Sequence, residues 1–351
     1  MTKSMMCVLS ICLLSLSTAQ LAQADGMMIA PRNQDIYESD QIAYLAYDAD
    51  TETESLHILP MFHGNAQEFA WIVPVPELPE IKESDLELFR DLSALSTGRY
   101  RRRYWDQPWG CGTGGYMTQP GNSEDGIDVI DEQLVGIYQT LTVSAVDAEI
   151  LSDSLSAWGF IHEDNIEAVE PMLESYVVEG WYFVAMKVDS TTYAESGAGQ
   201  YGYNTMQPME FRFHADAPVY PMRISALSAS PYHTEVILYV NAEHRMEEGG
   251  FEACYANRLN ADELSEIAVE YPTLAAHLDE NEFLTKLVRD YDHPNEMNMD
   301  LYPMPASSDT EYFPLKYSGI PISIILLLAL SMAVQIWKRR NLADRLAQAI
   351  D

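Results

Sequence analysis

The sequence predicts an α+β fold: mostly antiparallel sheet, with inserted helices, followed by one C-terminal transmembrane helix. Three observations carry this. Strand-type runs come in groups with helices between the groups, not in strict β-α alternation. Met209-Glu210-Phe211-Arg212-Phe213 alternates apolar and polar residues, as a strand with one buried face does. Gly319 to Trp337 carries no charge and at 1.5 Å per residue spans roughly 28 Å, enough for the hydrocarbon core.

Taken in order, residues 1–24 read as a signal peptide. Lys3 supplies the positive start, Met5 to Leu16 the short apolar run, and Ala22-Gln23-Ala24 the small-x-small cleavage site. Ile11 before Cys12 departs from a lipoprotein signal, so lipidation is not expected. Strands follow at Gln41–Tyr47, Leu56–Phe62 and Phe69–Val75, and Pro60, Pro74 and Pro76 imply sheet edges or strand ends. Ser84 with Glu87 makes a capping box for a helix carrying Leu86, Phe89, Leu92 and Leu95, which Gly98 ends. Arg99 to Gly126, with arginines at 99 and 101–103, reads as a long surface loop.

A strand is expected at Tyr138–Val146. Helices come next at Ala148–Trp158 and Asn165–Val178, the second interrupted or restarted at Pro171. Strands are then expected at Trp181–Val188, Met209–His214, Tyr220–Leu227 and Thr234–Asn241, with a Gly/Tyr-rich connection at Tyr193–Asn204. Asp262–Val269 and Glu282–Arg289 read as short helices, and Asn295–Pro314 as a Pro/Met-rich spacer. The expected domains are therefore 25–259, as one body or two lobes, and 260–318 as short helices and juxtamembrane spacer. The transmembrane helix at 319–337 and a cytoplasmic tail at 338–351 complete the chain.

Tyr317 and Trp337 sit where interfacial aromatics belong, and Lys338-Arg339-Arg340 follow directly, so the bulk of the chain is expected on the extracytoplasmic side. Between Asp25 and Ser318 there are 52 acidic and 15 basic residues, within a chain of formal charge −34. Such a surface repels nucleic acid and anionic headgroups. The expected partners are the membrane and an unidentified envelope protein or ligand.

After signal removal only Cys111 and Cys254 remain, and in an oxidising compartment two thiols most simply pair; a free, reactive Cys111 is the rival. Asp48, Asp50, Glu52 and Glu54 alternate in a turn as calcium ligands do, although the EF-hand pattern fails at Thr53 and Leu59. His57 and His63 share a strand face but lack a third metal ligand. Gly112-Thr113-Gly114-Gly115 lacks the strand, helix and lysine of a phosphate loop, and no G-x-S-x-G, S-x-x-K or H-E-x-x-H occurs. Phe69 to Pro76 reads as core packing around Trp71, with a binding edge as the rival. No catalytic residue, cofactor or firm metal site emerges. The expectation is a non-enzymatic binding or structural module, the alternative being a hydrolase or thiol enzyme using the Cys111 loop.

Phe69-Ala70-Trp71-Ile72-Val73-Pro74-Val75-Pro76 resembles a segment of the bacterial family known as domain of unknown function 2330. The resemblance continues at Leu155-Ser156-Ala157-Trp158-Gly159-Phe160 and from Tyr176 to Val188. It extends through Gln207-Pro208-Met209-Glu210-Phe211-Arg212-Phe213 and Tyr220-Pro221-Met222-Arg223-Ile224. It implies an exported, often membrane-anchored domain and brings no activity with it. Family members often begin the mature domain with a cysteine-glycine pair and carry a richer cysteine-glycine loop. Here Asp25-Gly26 lacks the cysteine, and the loop keeps Cys111-Gly112-Thr113-Gly114-Gly115.

Overall fold

Alternation along the strands decides the architecture, because two different cores claim the two faces of one sheet. The computed structural model describes residues 26–30, 36–38, 40–64, 69–96, 127–162, 165–188 and 204–313. In chain order the first strands are β1 (Met27–Ile29), β2 (Ile36–Glu38), β3 (Asp40–Asp48), β4 (Thr53–Leu59), β5 (Met61–Gly64), β6 (Phe69–Val75) and β7 (Glu80–Glu83). Helix α1 (Leu86–Ser96), the hairpin β8 (Ile127–Val135) and β9 (Tyr138–Ala145), and helices α2 (Ala148–Ala157) and α3 (Ile166–Glu179) come next. Then follow β10 (Tyr182–Val188), β11 (Asn204–Thr205), β12 (Met209–His214), a 3-10 turn (Arg223–Leu227), β13 (Thr234–Ala242), β14 (Met246–Glu247) and β15 (Glu252–Arg258). The last elements are α4 (Ala261–Glu270), α5 (Pro272–Ala275), β16 (Phe283–Tyr291) and β17 (Met304–Pro305).

The larger sheet has seven strands in the order β15-β16-β13-β3-β4-β12-β7, and the second has five, β1-β6-β10-β9-β8. A three-stranded sheet, β11-β5-β2, and the β14–β17 ribbon complete the set. Only β3 and β13 pair in parallel among these strands. On β3, Ala43 and Leu45 join the core shared with the five-stranded sheet, while Tyr44 joins a second core under the helices. Strand β13 divides likewise, Val236, Leu238 and Val240 on one side and Tyr239 on the other. Trp71 ties the two large sheets together, its ring 5.9 Å from Tyr138 and 6.1 Å from Phe211. Gly26 passes so close to it that a Cβ there would lie 2.4 Å from the indole Nε1, which leaves room for glycine alone.

The helical side is built by α1, α4 and α5, whose Leu88, Phe89, Leu92, Ile267 and Leu274 pack on Tyr44, Tyr239, Tyr255 and Leu284. Each such side chain contributes roughly 1.5–3 kcal/mol by leaving water. Helix α4 opens on a capping box between Asn260 and Glu263.

Several expectations change. Ser84 does not cap α1: Asp85 does, its Oδ1 accepting from the Glu87 N–H at 2.9 Å. Strand β6 is interior, between β1 and β10, but β1 covers only Ala70 to Ile72, so Pro74 faces an uncovered stretch. Helix α3 runs through Pro171, because Val169, Leu173, Tyr176 and Val177 bury one continuous face across it. Tyr220–Leu227 is not a strand. Tyr220 makes a single bridge to Leu301, and the chain then turns at Arg223, whose N–H bonds to Asp300.

Glu282–Arg289 is strand β16, not a helix, because β13 and β15 pair with it on both sides. Asn295–Pro314 is no free spacer as far as it is described: β17 pairs with β14, and Tyr312 bridges Ala256. The compact unit extends to Phe313, past the Leu259 boundary expected. Strand β8 was not anticipated. No helix of the described residues is long and apolar enough to cross a membrane, and Gly319–Trp337 lies outside them.

Candidate functional site

Strand β4 turns His57 toward α1 and α5, with Tyr44 opposite it on β3 and Glu210 opposite it on β12. Ser84, at the end of β7, meets the imidazole from the side, its Oγ 2.7 Å from Nδ1. Nε2 has no hydrogen-bond partner, although Glu210 Oε1 lies 3.9 Å away. The ring is 1% exposed. His277, just after α5, places its ring edge-on to His57 with centres 5.0 Å apart. The Tyr44 hydroxyl donates to the His277 carbonyl at 2.6 Å and holds this loop against the sheet. Burial, and then the neighbouring His277, push His57 down to about 3. Burial lowers His277 as well, against the pull of Glu210 and Asp85. Both imidazoles are therefore neutral near pH 7, with free nitrogen lone pairs beside a carboxylate.

The β3–β4 turn holds the expected calcium ligands, and they do different things. Asp48 is consumed by the turn: Oδ1 accepts from the N–H groups of Asp50 and Thr51, and Oδ2 from the Thr51 hydroxyl. Those bonds, the Thr51 hydroxyl foremost, hold its carboxyl below the usual range. Asp50 is exposed. Glu52, at φ 49°, turns instead toward His214 and Asp216, with donor atoms all within 4.8 Å of one another. Glu54 points inward, fully buried, its Oε2 accepting from Val219 N–H at 2.8 Å. The structure thus replaces Asp48 and Asp50 by His214 and Asp216 around Glu52. That exposed set offers one imidazole and two carboxylates, a grouping of surface acids that is common without any ion.

A family model described as "Uncharacterized protein conserved in bacteria (DUF2330)" matches residues 19–302. The chain belongs to this family. No curated protein matches it. Among solved structures, the crystal structure of baculovirus P35 is similar at 11% identity and a TM-score of 0.33, over 82% of this chain and 99% of that one.

The segments that carry the DUF2330 resemblance are mostly scaffold. Phe69–Val75 is β6, buried throughout, so it is core and not a binding edge. Tyr176 to Trp181 supplies a staple. The Arg223 guanidinium lies 3.9 Å above the Tyr176 ring centre and pairs with Glu179, while its Nε sits 3.0 Å from Asp300 Oδ2. Gly180 ends α3 at φ 79°, the left-handed cap that glycine favours.

Of the remaining residues singled out in this DUF2330 chain, His63 stacks near Tyr37, rings 5.3 Å apart, and does not join His57. Cys254 is a half-buried free thiol, its pKa raised by burial, while Cys111 and its loop lie outside the described residues. The residues missing from the sequence reading as functional candidates are Ser84, Glu210 and His277, and His214 and Asp216 at the turn. Glu210 had one signal, the Met209–Phe213 alternation, which puts it opposite Met209 and Phe211 in facing. Nothing in the local sequence marks His277.

Proposed function

We propose that this protein is exported, held by its C-terminal apolar stretch with the acidic domain outside, and works as a non-enzymatic binding or envelope-structural module. The leader at 1–24, the uncharged run at 319–337 and the basic residues after it support the topology. The observation that carries the binding role is β8. Among the described residues it has one strand neighbour, β9, and its nine residues leave Ile130 and Leu134 exposed beside Asp128, Asp131 and Glu132. An outer strand of this length accepts an extended segment by main-chain pairing, and its acidic side chains select a basic one.

Two features weigh against catalysis by the described residues. Ser84 is buried on His57 with its own N–H bonded to Pro208 O, so that group is not free to stabilise an oxyanion. Cys254 is shifted away from thiolate, opposite to what a nucleophile needs.

The topology is tested by replacing exposed Ser308 with cysteine and labelling shocked, unlysed cells with a membrane-impermeant maleimide. Labelling only after lysis would retire the exported reading. The binding role is tested by a photo-crosslinking side chain at Leu134, with Val269 on α4 as control. A discrete adduct at Leu134 alone is expected; none, or the same adduct at both sites, would retire β8.

A further inference from the structure

We propose that His57, Glu210 and His277 form a binding site for a borderline divalent cation of the zinc class, with Ser84 as the residue that orients His57. This goes beyond the binding-module reading and does not depend on where the chain resides.

The separation of His57 Nε2 from Glu210 Oε1 decides the point. At 3.9 Å it is too long for a hydrogen bond. It is also shorter than the about 4.6 Å that a water holding two hydrogen bonds of about 2.8 Å at the tetrahedral angle would span. One ion with bonds of about 2.1 Å spans donors from about 3.4 Å at the tetrahedral angle to about 4.2 Å in line. The gap is therefore too long for a direct hydrogen bond and lies within the span of one bound ion.

The unpaired nitrogen points the same way. His57 is buried and Nε2 has no partner, which is destabilising when nothing occupies the position. With Nδ1–H donating to Ser84 Oγ, the Nε2 lone pair faces the Glu210 carboxylate, and a cation between them turns a repulsion into two bonds. A ligand histidine held through its other nitrogen is the usual outer-shell arrangement of a metal site.

His277 completes the set. Two imidazoles on one tetrahedral ion put their ring centres about 5.2 Å apart, and here they are 5.0 Å apart. Its ring is half-exposed, and its nitrogens stand outside ligand distance of the other two donors, so a rotation about its own side-chain bonds is required to bring one onto the ion. Asp85, exposed at the start of α1, adds negative charge on the His277 side. Two nitrogen donors and one carboxylate favour zinc or cobalt over calcium and magnesium.

The full-length mature chain in mild detergent, freed of metal, is titrated with cobalt chloride and zinc chloride. A single ion is expected per chain, with the visible absorption of four-coordinate cobalt and a zinc-dependent rise in melting temperature. Glu210→Gln and His277→Asn, both altering partly exposed side chains, should lose the cobalt spectrum while still melting cooperatively without metal. Ser84→Ala should weaken zinc about 10–100-fold, as loss of an outer-shell partner does. His214→Ala, at the β3–β4 turn, should leave spectrum and affinity unchanged. Absence of binding, a spectrum unchanged in Glu210→Gln and His277→Asn, or a spectrum lost only in His214→Ala would each overturn the assignment.

Discussion

Tyr176 and Arg223 are joined twice, by the guanidinium lying 3.9 Å from the ring centre and by a shared acceptor, Asp300. Asp300 Oδ1 takes the Tyr176 hydroxyl at 2.7 Å and the Arg223 N–H at 2.9 Å. Three segments distant in sequence are locked there: α3, the 3-10 turn and the chain leading to β17. Asp300→Ala leaves the buried Tyr176 hydroxyl and the Arg223 N–H without their acceptor, while Glu179 still pairs with the guanidinium, and should destabilise the protein by about 1–3 kcal/mol. Urea unfolding measures this, and a loss below about 1 kcal/mol would reduce the staple to surface decoration.

Glu54 is fully buried, and burial raises its pKa well above the carboxylate range, against the one N–H bond from Val219. The folded state therefore holds this proton more tightly than the unfolded chain. Its contribution to stability is present below the unfolded pKa and is lost as pH rises through the folded value. Glu54→Gln, which resembles the protonated acid, should melt progressively higher than wild type as pH goes from 5 to 8. A constant difference across that range would mean that Glu54 is not the titrating group.

His57 titrates in the opposite sense. Its folded pKa, about 3, lies below the unfolded 6.5, so stability is intact above 6.5 and declines as pH falls toward 3. The full span amounts to a few kcal/mol, at about 1.4 kcal/mol per pH unit. His57→Asn keeps an amide within reach of Ser84 and loses the titration. Between pH 7 and pH 5 its unfolding free energy should fall less than that of wild type; equal slopes would place the acid sensitivity elsewhere.

A chain ending at Leu259 should not fold. It lacks β16, whose nine residues pair with β13 on one side and which, among the described residues, is the one strand that β15 pairs with in the sheet. It also lacks Asp300. A chain ending at Phe313 should give a cooperative melt. Cooperative unfolding of the shorter chain would contradict the seven-stranded order.

Much of the local structure was legible. Phe69–Val75 and Met209–His214 form strands with the bounds expected, the first as a short unbroken apolar run buried on both faces and the second through its period of two. Glu282–Arg289 misled because Leu284, Leu287 and Val288 fit a helical period, and only pairing on both edges settles the strand. Ser84 misled for a related reason. Its Oγ satisfies either a helix N-terminus or a histidine, and the choice went to His57, 27 residues away.

By itself the sequence determined the α+β class, seven of the longer strands, four helices and membership of a bacterial family. These depend on periodicity, capping and local motif, all short-range properties. The tertiary structure alone decided that His57 meets His277 and Glu210 rather than His63, that Glu52 turns to His214, and that residues 283–313 belong to the folded body. The physical reason is the same in each case. Strand register and sheet order set which faces coincide, and they are chosen by the burial of whole surfaces, which no single segment encodes.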